Sequence, residues 1–152
     1  AASLVFYSPL QTIFWYDKPS FYHGEPEMEW FENLQTVFDD TKVLDGAPGK
    51  NITMARRKGQ EWFVAAMTNN EGSEEEIPLT FLDKEKNYLA CIYTDGGEKI
   101  KTSTQVKCTY LLVNASQTMK FQLKPSGGAA IRLVPIDRQE MKKYKKYKGE
   151  RL

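Results

Sequence analysis

Four glutamates fall within one short segment, Glu25, Glu27, Glu29 and Glu32. An active site for hydrolysis needs paired carboxylates a few ångströms apart, so this cluster is the first candidate for acid–base chemistry. On a helix Glu25 and Glu29, or Glu29 and Glu32, are neighbours, whereas Glu27 and Glu29 diverge because positions two apart do not share a face. Such pairs on a short surface helix are solvated, and the cluster reads as charge rather than as a catalytic pair. Asp39-Asp40 and Glu74-Glu-Glu76 sit at turn-like or strand-entry positions and read as solubilising charge. His23 is the single histidine, and its neighbours Tyr22 and Gly24 form no nucleophile motif. Gly127-Gly128 precedes a strand-like run rather than a helix, so a phosphate cradle is not expected. Cys91 and Cys108 match no zinc-ligand spacing; they read as buried free thiols, with one bridge between neighbouring strands as the alternative. No metal site is expected in this chain. The sequons Asn51-Ile-Thr53 and Asn114-Ala-Ser116 bear on function only in a eukaryotic secretory setting.

Aromatics are the remaining chemical signal. Phe14, Trp15, Tyr16, Phe21, Tyr22, Trp30 and Phe31 crowd the first 31 residues. Sugars lay apolar ring faces on such side chains. The leading reading is packing in a core or an interface; the alternative is that at least one of them lines a sugar pocket in a larger assembly.

The elements that must position these residues fall into two stretches. Up to about residue 38 the chain is helix-compatible: Ala1 to Ser8 reads as the end of an apolar helix stopped by Pro9. Leu10–Tyr16 follows as a buried strand, Asp17-Lys-Pro-Ser as a turn, and Gly24–Asn33 as a short helix with proline in its first turn. Helix, strand, loop, helix is the rhythm of an α/β fold, but one such unit cannot close a sheet, and the stretch reads as an excerpt. From about Thr36 the pattern changes to strands separated by turn residues: Lys50–Arg57, Glu61–Thr68, Ile77–Leu82, Tyr88–Tyr93, Thr104–Val113, Thr118–Leu123 and Gly128–Val134. Lys58-Gly59-Gln60 is a hairpin signal. The expected class is mainly β, an antiparallel β-sandwich of roughly seven or eight strands.

Length and composition agree with one folded domain: 152 residues, 41% hydrophobic and 27% charged, exclude both disorder and a large multidomain enzyme within this chain. The longest apolar run is broken at Ser8, Pro9, Gln11 and Thr12, short of the roughly 18–20 residues of a membrane span. The first residues lack the basic n-region and long h-region of a signal peptide. No membrane partner is expected. The formal charge of +1 hides an asymmetry, because residues 1–136 carry −3 and residues 137–152 carry +4. Lysines and tyrosines interleave in that tail, which in principle suits phosphates and stacked bases; a solvated, partly frayed terminus is the simpler reading, and no nucleic-acid partner is expected.

An ordered series of motifs adds a family resemblance: Val5-Phe-Tyr-Ser-Pro-Leu-Gln11, Asp17-Lys-Pro-Ser-Phe-Tyr22, Gly24-Glu-Pro-Glu27, Thr36-Val-Phe-Asp-Asp-Thr-Lys-Val-Leu-Asp-Gly46, Ala55-Arg-Arg-Lys-Gly59 with Trp62-Phe-Val, and Tyr93-Thr-Asp-Gly96. Over residues 1 to about 134 the chain resembles the C-terminal end of bacterial glycoside hydrolase family 97, the α-glucosidases and α-galactosidases common in gut Bacteroides. The resemblance implies an N-terminal β-sandwich, a catalytic (β/α)8 barrel and a C-terminal β-sandwich linked to oligomerisation. It makes residues 1–35 a remnant of the barrel, with Leu10–Tyr16 as its eighth strand and Glu25–Asn33 as the following helix. Residues 36–136 become the C-terminal sandwich, and residues 137–152 a basic tail. The family's catalytic carboxylates and calcium-ligating glutamates would lie upstream, so no catalytic residue is assigned and calcium belongs to the parent's catalytic domain. Because barrel active sites lie at the carboxyl ends of the strands, Trp15, Tyr16 and Asp17 would face the substrate in the parent. The Trp15–Pro19 wording favours the retaining α-galactosidase branch.

The expected function is thus a non-catalytic module that braces the barrel and supports a homo-oligomer, its partner being the rest of the parent. The family implies a periplasmic or exported protein of a Gram-negative bacterium. A free-standing carbohydrate-binding sandwich is the alternative, with Trp62 as its candidate platform, although Trp62-Phe-Val has the pattern of core packing.

Overall fold

The computed structural model describes residues 1–12, 18–97 and 104–152. Its strands are β1 (Asp40–Ala47), β2 (Asn51–Lys58), β3 (Glu61–Thr68), β4 (Ser73–Pro78), β5 (Asn87–Asp95), β6 (Val106–Asn114), β7 (Thr118–Leu123), β8 (Gly128–Ile136) and the two-residue β9 (Lys145–Lys146). They form a seven-stranded sheet in the order β1-β2-β3-β8-β5-β6-β9 and a two-stranded sheet of β4 and β7. Pairing is antiparallel except where β9 runs parallel to β6. The β-sandwich expected from the turn spacing is the fold observed.

Each local choice has a sequence cause. The β2–β3 hairpin turns at Gly59, whose φ of +57° is the left-handed value that glycine adopts without strain. That turn is held from outside, since the backbone N–H of Gly59 donates to Asp39 Oδ2 at 2.7 Å. This bond, followed by the Lys58 ammonium, holds the Asp39 carboxyl below its usual range. Alternation then sorts β3 between two faces. Trp62, Val64 and Ala66 join an inner core with Ile77, Met119, Phe121 and Leu123 of the small sheet. Phe63 and Ala65 point the other way and are equally buried. The large sheet is therefore covered on both faces, and for that reason β3 reads as an unbroken apolar run rather than an alternating one.

Two strands differ from expectation. β1 is an edge strand, mostly exposed and with a register break between Val43 and Asp45, so its polar sequence carries little strand signal. β4 covers Ser73–Pro78 rather than Ile77–Leu82, because Glu75 and Ile77 point inward while Glu74 and Glu76 point out. Glu75 is 2% exposed, so it is a buried crosspiece and not solubilising charge. It accepts hydrogen bonds from Thr53 Oγ1 (3.0 Å) and Asn51 Nδ2 (2.9 Å) of the large sheet and from Ser73 Oγ (2.7 Å). Leu79 and Leu82 remain buried, in the turn that follows β4.

The C-terminal segment is docked, not frayed. Tyr147 is 3% exposed and belongs to the inner core. Its N–H donates to the Leu112 carbonyl (3.0 Å), and its hydroxyl accepts from the Lys120 N–H (3.0 Å) and donates to the Glu150 carbonyl (2.8 Å). Arg151 forms a two-pronged contact with Glu74 at 2.7 and 3.0 Å. Segment 145–152 thus spans from β6 in the large sheet to β7 in the small one. Replacing Tyr147 by phenylalanine strands the Lys120 N–H and the Glu150 carbonyl while keeping the ring. The expected loss is about 1–2 kcal/mol, read from the urea midpoint.

Candidate functional site: the covered outer face of the large sheet

The outer face of β3, β8 and β5 is apolar at Phe63, Ala65, Ala130, Cys91 and Tyr93. It is covered by the N-terminal stretch through two short helices, α1 (Ala2–Val5) and α2 (Met28–Asn33). Neither has the length to be stable alone, so packing holds them in place. Leu4 and Trp30 are the anchors, 0% and 2% exposed. The Trp30 ring meets Phe63 and Tyr93 edge-on, with centroids 5.7 and 6.0 Å away, and its Nε1–H donates to Ser3 Oγ at 3.2 Å, tying α2 to α1.

Arg56, within the Ala55–Gly59 motif, grips α1 from β2. Its Nε–H donates to the Leu4 carbonyl at 3.1 Å, satisfying one of the carbonyls a helix end leaves open. Its guanidinium lies 4.8 Å over the Tyr7 ring and 5.9 Å from that of Phe38. The Tyr7 hydroxyl donates to the Thr36 carbonyl at 2.5 Å, closing the stretch onto the strand region. These contacts pack the N-terminal stretch onto the strand region as a covering layer.

The acidic cluster is not a solvated helix face. α2 begins at Met28, so Glu25 and Glu27 precede it. Glu25 is 1% exposed and accepts the His23 backbone N–H at 2.7 Å. Glu27 is 8% exposed, and neither of its carboxyl oxygens has a hydrogen-bond partner. Glu29 accepts from the Tyr110 hydroxyl of β6 at 2.5 Å. Burial, and after it the Glu29 carboxylate beside it, push the Tyr93 hydroxyl up. Charge patterning gave no sign of this burial; the proline between the two glutamates, which keeps the helix from starting earlier, was the available clue. Glu27 and Tyr93 share with Trp30, Phe31 and Asp95 the lining of a cavity of about 380 Å³ beside Ala1.

Cys91 and Cys108 are free thiols on neighbouring strands, and burial pushes that of Cys91 up to about 12. Trp62 is 5% exposed and packs against Phe81 in the inner core, so it offers no open platform for a sugar. Trp15, Tyr16 and Asp17, with Phe14, lie outside the described residues, as does most of the expected strand over Leu10–Tyr16; Leu10 to Thr12 are not in a strand. Among the described residues no three His, Cys, Asp or Glu side chains gather as a metal site, and no helix is long and apolar enough to cross a membrane. Phe6 and Leu10 of the N-terminal layer stand 74% and 86% exposed.

A family model described as the C-terminal, oligomerisation region of glycosyl hydrolase 97 matches residues 37–134. A retaining α-galactosidase of Bacteroides thetaiotaomicron is 34% identical over 134 residues, 88% of this chain and 20% of the relative. A family 97 enzyme from Pseudoalteromonas sp. strain K8, solved in complex with acarbose, superposes with a TM-score of 0.67 at 32% identity over 74% of this chain and 19% of its own. The chain spans about a fifth of the length of these relatives. With the sandwich and these matches in agreement, the chain belongs to glycoside hydrolase family 97, residues 37–134 matching its C-terminal, oligomerisation region.

Proposed function

We propose that this chain braces the catalytic barrel of a retaining α-galactosidase and supports contacts between its subunits. The observation that carries the bracing role is the N-terminal layer: residues leading into the sandwich are anchored on it by Leu4 and Trp30 and gripped by Arg56. A segment held by the sandwich and exposing Phe6 and Leu10 is built to sit between two bodies. The galactoside preference is supported by the 34% identity to a retaining α-galactosidase. Trp15, Tyr16 and Asp17 belong to the sugar-binding wall of the parent in this reading, calcium to its catalytic domain, and the parent to the periplasm or another exported compartment. Among the described residues, Trp62, the candidate platform of the free-standing sugar-binding alternative, is buried against Phe81.

The test is made on the full-length parent and on a version ending at residue 35. The full-length enzyme should turn over an aryl α-galactoside faster than the α-glucoside, and the shortened one should lose its native molar mass and inactivate at lower temperature. Faster turnover of the glucoside overturns the substrate preference; unchanged heat inactivation overturns the bracing role.

A further inference from the structure

The cavity beside Ala1 holds a polar group that the chain itself does not satisfy. Both oxygens of the Glu27 carboxyl are buried with no hydrogen-bond partner, and the Tyr93 ring stands in the same lining. Native interiors rarely leave such groups orphaned, because each costs about 1–3 kcal/mol and a charged one more. Asp95 adds a second carboxylate to the wall, and no lysine or arginine is among the described lining residues. Among the described lining residues the one cationic group is the Ala1 amine, which burial pulls down to about 6 and which is an uncharged amide wherever a residue precedes Ala1. The cavity, at about 380 Å³, has room for a whole side-chain head group. It is built from both sides of a seam, with Glu27, Trp30 and Phe31 from the N-terminal layer and Tyr93, Asp95 and Ala130 from the sandwich.

Unpaired acceptors, negative charge and aromatic neighbours together match a guanidinium or ammonium group, which brings several N–H donors and one positive charge. We propose that the cavity receives a basic side chain, an arginine or lysine, from the catalytic portion of the parent enzyme, and that Glu27 is its principal partner. This rests on the bracing role and specifies one contact of it. The occupant is assigned to the catalytic portion because the cavity opens next to Ala1, where that portion is tethered and its effective concentration is highest.

The contact makes the effect of Glu27→Gln depend on context. In this chain alone the substitution removes an unpaired buried carboxyl at nearly constant shape, so the melting temperature should stay the same or rise. In the full-length parent it removes the charge partner of a buried cation, so heat inactivation should set in several degrees lower, and proteolysis at the junction before the sandwich should accelerate about tenfold or more, with kcat and KM unchanged at low temperature. An unaltered parent overturns the proposal. So does a fall in melting temperature in the chain alone, which means that Glu27 has its partner within this chain; if that fall varies with protein concentration, the partner is a second copy. The parent ending at residue 35, measured alongside, separates the two ideas: if that deletion destabilises the enzyme and Glu27→Gln does not, bracing stands without this contact, and if the deletion is silent, bracing itself fails.

Discussion

Alanine in place of Trp30 should destabilise the chain by about 3–5 kcal/mol, the range for emptying a buried aromatic site. Trp30 is 2% exposed, touches Phe63 and Tyr93 edge-on, and carries the hydrogen bond that joins the two N-terminal helices. Collapse of the site is restrained because Phe63 and Tyr93 are fixed on central strands, so the cavity persists and the cost falls in the upper part of the range. Urea unfolding followed by far-UV circular dichroism checks it. Leu10→Ala serves as the control: its side chain is 86% exposed, and its effect should stay within about 0.5 kcal/mol. Equal effects of the two substitutions would mean that the N-terminal layer does not stabilise the sheet beneath it.

The second large effect is expected from a chain that begins at Thr36. Such a chain keeps every strand but uncovers Phe63, Ala65, Cys91 and Tyr93, all between 0% and 5% exposed in the intact molecule. Losing the burial of Leu4 and Trp30 alone removes roughly 3–6 kcal/mol, against a total of about 5–15 kcal/mol for a domain. The shortened chain should bind a dye specific for apolar surface and show a molar mass that climbs with concentration in light scattering, whereas the intact chain keeps a fixed mass. Association of the short form would then report a bare sheet face rather than the native subunit contact. A short form that stays monomeric and melts with the intact chain would overturn this account of the outer face.

Much of the architecture was legible in sequence because strands with one clear face announce themselves. The Lys58–Glu61 turn and the β5 and β8 runs all follow from turn chemistry and apolar pattern. What failed to show was decided by tertiary context. β1 is polar because it lies at an exposed edge, and β4 was misplaced because a run of three glutamates hides one that points inward. The same holds for Glu25 and Glu27, whose burial depends on a layer that folds back over strands far away in sequence. Net charge also misled over the tail: its lysines point outward while Tyr147 between them is buried. Formal charge counts ionisable groups and does not report which backbone atoms a segment pairs with.

The parallel pairing of β9 has a consequence for symmetry. Adding molecules head to tail through their sheets needs two complementary free edges on each copy. On the large sheet one of these is occupied, because Lys145 and Lys146 pair with Leu111 and Leu112 of β6. The opposite edge, β1, carries no outer neighbour among the described residues along any of its eight residues, and its break in register between Val43 and Asp45 shortens the usable length. With β9 interrupting the far edge, the longer uninterrupted edge on each copy is β1, and a union of β1 with β1 is two-fold and self-limiting, so the arithmetic of such growth stops at two rather than running on into a filament.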